Sequence, residues 1–140
     1  MTTAIDTNVL VALWNEDDTL NTQARSALDA ALGRGSLVIA APVFAEVLAA
    51  PSRNEAFLDS FCRETGITVD WNLDEAVWRA AGHAFRAYVG RRKTHRGAAP
   101  RRILADFLMG AHALQNGFRL LTLDEGLYRA AFPRLGIVGV

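Results

Sequence analysis

The chain has 140 residues, 51% of them apolar, with as many acidic as basic side chains and a net charge of zero. That is the size of one globular domain over residues 1–140, able to bury roughly two-thirds of its unfolded surface. One cysteine rules out an internal disulfide, and no apolar run nears the ~20 residues of a membrane span, which points to a cytoplasmic protein without a membrane partner.

Thr3-Ala4-Ile5 predicts a first short strand. Leu20, Ala24, Ala27, Leu28, Ala31 and Leu32 then keep a helical period, with Asn21 as a plausible cap and Gly33 and Gly35 closing the helix. A second strand is expected over 36–41. Pro42 fits the first turn of the next helix and Pro51 follows its end. Phe57, Leu58, Phe61 and Cys62 form an apolar stripe, which makes Cys62 a buried thiol rather than a reactive one. A third strand over 66–69 leads to a helix capped by Asp74 and patterned by Val77, Trp78, Ala81, Phe85 and Tyr88. Residues 86–102 carry Arg86, Arg91, Arg92, Lys93, Arg96, Arg101 and Arg102 with no acid, and Gly90, Gly97 and Pro100 read as a loop. Strands over 119–122 and 136–140 follow, the last at an edge. Short Val-, Ile- and Leu-rich strands alternating with helices predict an α/β fold with a mainly parallel sheet.

Four carboxylates interrupt apolar segments: Asp6 after Ile5, Glu46 within Val43-Phe44-Ala45-Glu46-Val47, Asp106 within Ile103-Leu104-Ala105-Asp106-Phe107, and Asp124 after Leu121-Thr122-Leu123. Ligands of parallel sheets bind beyond the carboxyl ends of the strands, where Asp6, Glu46 and Asp124 are expected, with Asp106 in the helix before the fourth strand. Gathered carboxylates repel by about 3 kcal/mol per pair at ~5 Å in an effective dielectric near 20, so a cluster calls for protons or cations, and a divalent metal is the natural answer. Each acid also has an ordinary reading. Asp6 suits a helix cap, Glu46 a long-range salt bridge, Asp106 an intrahelical pair with Arg102, and Asp124 a turn. Ile103, Gly110 and Ala113 share the Asp106 face and leave a small-residue recess there.

Thr7 and Asn8 add polar groups at a helix start suited to phosphate or metal-bound water. The basic segment, with Arg91, Arg92, Lys93, Arg96, Arg101 and Arg102, offers a way to hold a polyanion beside acids that would repel it. His83, His95 and His112 are too dispersed for a zinc set and read as structural or solvated. Trp14, Trp71 and Trp78 read as core or interface. Neither a P-loop nor a Gly-x-Ser-x-Gly elbow is present.

Taken in order, Ile5-Asp6-Thr7-Asn8-Val9-Leu10, Pro42-Val43-Phe44-Ala45-Glu46-Val47, Ile103-Leu104-Ala105-Asp106-Phe107-Leu108 and Leu121-Thr122-Leu123-Asp124 resemble a PIN domain, and within that group the VapC-like toxin ribonucleases. The resemblance implies a three-layer α/β/α sandwich and an acidic quartet of Asp6, Glu46, Asp106 and Asp124. Asp6, Asp106 and Asp124 would be the ligands of Mg²⁺ or Mn²⁺, with Thr7, Asn8 and Thr122 in support. It further implies an RNA substrate, a homodimer and a cognate VapB-like antitoxin. The expected reaction is metal-assisted hydrolysis of RNA phosphodiester bonds, with Asp6 and Asp106 as the main ligands. A PIN-like RNA-processing nuclease outside a toxin–antitoxin pair is the alternative within the family. An aspartyl phosphatase would need a second Asp where Asn8 stands. A receiver-like Mg²⁺-binding module would need a lysine at the site, and the only lysine is Lys93.

Overall fold

The computed structural model describes residues 1–50, 53–94 and 103–140. Its elements are β1 (Thr2–Ile5), α1 (Thr7–Trp14), α2 (Asn21–Arg34), β2 (Ser36–Ala40), α3 (Ala41–Leu48), α4 (Glu55–Thr65), β3 (Thr68–Asp70), α5 (Glu75–Thr94), α6 (Leu104–Gln115), β4 (Arg119–Thr122), α7 (Glu125–Ala131) and β5 (Ile137–Gly139). The five strands form one sheet in the order β3-β2-β1-β4-β5, and every neighbouring pair is parallel. Helices fill the crossovers, as parallel pairing requires.

Strand periodicity assigns the side chains to two cores. Ile5, Leu37, Ile39 and Leu121 turn to one face, where Val9, Leu10, Leu28, Val43, Val47 and Leu58 of α1 to α4 cover them. Ala4, Val38 and Leu120 turn to the other, beneath Val77, Ala81 and Tyr88 of α5, Phe107 and Ala111 of α6, and Tyr128 of α7. The result is the expected three-layer α/β/α sandwich. Among the described residues no helix is long and apolar enough to cross a membrane.

Ala4 pairs with Val38 and Ile5 with Leu121, so continuing each register one or two residues sets Asp6 level with Ala40 and Thr122. Ala40 in turn pairs with Asp70, and Thr122 with Gly139. One row of residues thus crosses the carboxyl end of the sheet, and its side chains share one face.

Several local expectations change. Gly66 ends α4 in the left-handed region (φ 77°), so the third strand starts two residues later than its apolar pattern suggests. Asn21 does not cap α2; its side-chain amide donates to the Ala12 and Leu13 carbonyls at the end of α1. Asp74 does act as a cap, accepting from the Val77 N–H at 3.1 Å. Cys62 is half-buried rather than fully buried. The basic segment is not all loop, because α5 runs to Thr94 and takes in Arg91, Arg92 and Lys93. Phe85 and Tyr88 pack at a tilt against Phe107 of α6, their ring centroids 5.2 and 5.4 Å from its own, and this packing carries the helix past Gly90. Arg96, Arg101 and Arg102 lie outside the described residues, as do Pro51 and His95.

Gly110 does not open a recess for a ligand. The Phe132 ring fills the space that a Cβ there would take. In an exposed helix Gly→Ala stabilises by up to about 1 kcal/mol, but Gly110→Ala should instead destabilise by about 1–3 kcal/mol through overpacking. Urea denaturation decides the sign, and a stabilised variant would mean that Phe132 moves aside freely.

Candidate active site

Asp6 follows the last residue of the central strand and occupies the N-cap position of α1 in extended conformation (φ −75°, ψ 151°). Its side chain nevertheless makes no cap hydrogen bond. It turns instead to the α5–α7 face, where Oδ2 accepts from the Thr122 hydroxyl at 2.8 Å, and it is only 4% exposed. The helix-cap reading of Asp6 therefore fails. Thr122 Oγ1 also accepts from the Asp124 N–H at 2.9 Å, so one hydroxyl orders both the Asp6 carboxylate and the turn that carries Asp124.

The other members arrive from three helices. Thr7 donates to Glu46 Oε1 at 2.7 Å and lies 3.8 Å from the Met109 sulfur, which links α1, α3 and α6. No basic partner of Glu46 occurs among the described residues, so the salt-bridge reading has no support there. Asn8 Oδ1 accepts from the Leu123 N–H at 3.1 Å and ties the start of α1 to the end of β4. Asp106 sits in the first turn of α6, where the helix dipole favours a negative charge, and accepts a long 3.5 Å hydrogen bond from the Ile103 N–H. Arg102, its expected intrahelical partner, lies outside the described residues. Asp124 is the N-cap residue of α7 but makes no side-chain cap bond.

These residues line one cleft of ≈ 420 Å³: Asp6, Thr7, Asn8, Glu46, Asp106 and Asp124, joined by Asp18, Val11, Leu123, Leu127 and Tyr128. All four predicted acids meet there. Thr122 stands directly behind them. Among the described residues the cleft lining contains five carboxylates and no basic residue.

The PIN domain family model matches residues 3–133. The chain belongs to the PIN domain family. No curated protein matches it in sequence. Among solved structures it is similar to VapBC2 from Rickettsia felis bound to a DNA fragment from their promoter, at 18% identity and TM-score 0.71, over 99% of this chain and 98% of that one. VapBC-1 from nontypeable Haemophilus influenzae gives 18% identity and TM-score 0.68 over the same shares, 99% and 98%. VapC20 of Mycobacterium tuberculosis, a sarcin-ricin loop cleaving toxin, gives 15% identity and TM-score 0.54 over 86% of this chain and 87% of that one. At these identities the likeness is one of fold.

Two residues of this PIN domain cleft escape sequence reasoning. Asp18 lies in the link between α1 and α2, where its Oδ1 accepts from the Leu20 N–H at 2.8 Å; no apolar run marks it. Tyr128 was legible in principle, since it stands one helical turn after Asp124 on α7. It is 1% exposed, and its hydroxyl has no well-formed hydrogen bond. Burial first, then the charges of Asp6 and Asp106, push that hydroxyl far above the usual tyrosine range, so it stays protonated. The histidines behave as expected of structural or solvated groups where they are described: His83 is exposed, and fully buried His112 pairs through Nε2 with Asp70 Oδ2 at 2.9 Å, outside the cleft. That bond is the main reason the Asp70 carboxyl sits below its ordinary value.

Burial raises the Asp6 carboxyl from 3.8 to about 6, and the Asp106 charge adds to this, while the nearby Thr122 and Tyr128 hydroxyls oppose it. A buried acid facing other acids, in a cleft whose described lining has no basic residue, offers the donor chemistry of a hard oxygen-ligated metal. Among the described residues no three such groups stand close enough to form a finished cage.

Because the folded value of Asp6 lies above the unfolded one, folding favours the protonated acid. The associated stability is complete below pH 3.8 and is lost as pH rises through about 6. In metal-free protein Asp6→Asn should therefore raise stability by up to about 3 kcal/mol at pH 7.5 and by almost nothing near pH 4. Urea unfolding of both proteins at the two pH values measures this. An equal difference at both would show that the carboxyl does not ionise against the fold.

Proposed function

We propose that this chain is a metal-dependent endoribonuclease that hydrolyses RNA phosphodiester bonds, the cytoplasmic toxin of a VapBC-type toxin–antitoxin pair, acting as one nuclease domain over residues 1–140. The observation that carries the reading is the burial of Asp6 in a cleft whose lining, among the described residues, holds four further acids and no basic residue. Membership of the PIN domain family supports nuclease chemistry. The antitoxin is supported by the VapBC complexes among the structural relatives, and RNA as substrate by VapC20, which cleaves the sarcin-ricin loop.

Bound Mg²⁺ or Mn²⁺ supplies Lewis-acid charge beside the phosphodiester and a water acidic enough to be a nucleophile at neutral pH. Asp6, Asp106 and Asp124 hold the ion, Asp6 and Asp106 foremost. Thr122 fixes the Asp6 carboxylate by engaging one of its oxygens, which leaves the other available. Glu46, anchored by the Thr7 hydroxyl, orients water rather than touching the ion. Asn8 holds the two loops of the site together through its bond to Leu123.

The RNA strand needs positive charge outside the acidic cleft. Tyr88 packs against Phe107, the residue after Asp106, and Arg91 and Arg92 follow within about one turn as exposed side chains. With Lys93, Arg96, Arg101 and Arg102 they make up the proposed RNA-binding segment. A homodimer belongs to the same reading, with Trp71 and Trp78, 63% and 49% exposed, as apolar surface for it.

Single-stranded RNA should be cut by wild-type protein with Mg²⁺ or Mn²⁺ and spared in chelator. Asp6→Asn and Asp106→Asn should lose at least about a hundredfold in turnover, the scale of losing a metal ligand or its support. Equal cleavage by all three proteins would end the proposal. RNA affinity should fall with salt at a log–log slope of about −0.7 per phosphate neutralised, and replacing Arg91, Arg92 and Lys93 by Ala should flatten it. An unchanged slope would remove these three residues from the RNA interface.

A further inference from the structure

Tyr128 is the residue of the cleft that the proposed chemistry leaves unused. Its ring fills the core under the sheet beside Phe107 and Phe132, a place that a phenylalanine would fill as well. Its hydroxyl is buried beside the Asp6 carboxyl and faces the charges of Asp106 and Asp124, yet it has no well-formed partner. Buried hydroxyls almost always find one, so an orphan of this kind asks for an explanation in function. The orphan points at the one carboxylate whose position matters most.

Asp6 Oδ2 already accepts from Thr122. An ionised carboxylate accepts strongly from two donors. We propose that Tyr128 is a positioning residue of the cleft: its hydroxyl donates to the Asp6 carboxylate in the cation-loaded state, fixing the oxygen that faces the ion, and has no comparable bond in the metal-free protein. The inference rests on reading the cleft as a cation site, and it assigns to Tyr128 a role that neither the sequence pattern nor the family resemblance gives it.

The proposal predicts two opposite effects of removing one oxygen. In metal-free protein Tyr128→Phe loses an unpartnered hydroxyl, so its urea midpoint should equal or exceed that of wild type. In loaded protein it loses an orienting hydrogen bond, and Mn²⁺ affinity should fall about tenfold, the low end of the loss seen when an outer partner of a metal ligand is removed. The test is a Mn²⁺ titration of the full metal-stripped chain, following the free-ion signal by electron paramagnetic resonance, for wild type, Tyr128→Phe and Asp6→Asn. Support requires wild type to bind, Asp6→Asn to lose binding, and Tyr128→Phe to bind about tenfold more weakly with undiminished metal-free stability. If wild type and Tyr128→Phe bind alike, the positioning role is overturned while the cation site stands. If Tyr128→Phe also unfolds earlier in urea, the hydroxyl is structural and the inference fails. If wild type itself does not bind Mn²⁺, the cation reading falls and this inference falls with it.

Discussion

A carboxylate at the end of the central strand of a parallel sheet is a costly thing to bury, and the arrangement of the cleft answers to that constraint. Asp6 is level with Thr122 across the β1–β4 pairing, so the strand register itself delivers a hydroxyl to its Oδ2. Thr122 then passes the order on by accepting the Asp124 N–H, and Asn8 closes the same corner through Leu123. Three short hydrogen bonds hold the start of α1 and the end of β4 as one unit. None of them neutralises charge. Among the described residues the cleft lining holds acids and no basic side chain, a surplus of negative charge that a cation would offset.

The two helical layers contribute unequally. The α1–α4 side supplies Thr7 and Glu46 and a large apolar core, so that the start of α1 is fixed by Val9 and Leu10 beneath it. The α5–α7 side supplies Asp106 and Tyr128 and presses them toward the sheet with Phe107 and Phe132. Met109 belongs to the first core although it sits on α6, and its sulfur touches Thr7. The cleft lies where the two cores meet at the strand ends. Its polar groups therefore rest on rigid packing from both sides, the condition for holding carboxylates in fixed positions while they repel.

Much of this was open to reading in the chain, for identifiable reasons. The strands are short apolar runs and the helices keep a clear period, so element order and parallel pairing followed from pattern. Asp6, Glu46, Asp106 and Asp124 were visible because an acid inside an apolar segment is out of place, and the structure does bring them into one cleft. Asp18 lacked that contrast, lying in a polar link where an acid is unremarkable. Gly110 misled because a small residue on a helix looks like open space, whereas the Phe132 ring that fills it comes from far along the chain. Local pattern ends α5 too early for a similar reason: glycine and arginine near its end suggest a loop, but the packing of Phe85 and Tyr88 against Phe107 is a tertiary contact that local pattern does not contain.

The β1–β4 pairing also has a bearing on synthesis. Asp6 leaves the ribosome well before its hydroxyl partner, which is 116 positions later. Asp106 and Asp124 also come from the last third of the chain. A nascent polypeptide carrying α1 to α4 thus holds only Asp6, Asp18 and Glu46, without the strand that orders the first of them. Contacts this distant in sequence form late and slowly. The acidic cleft is completed only once β4 and the start of α7 have been made and β4 has paired with β1, long after the first of its carboxylates.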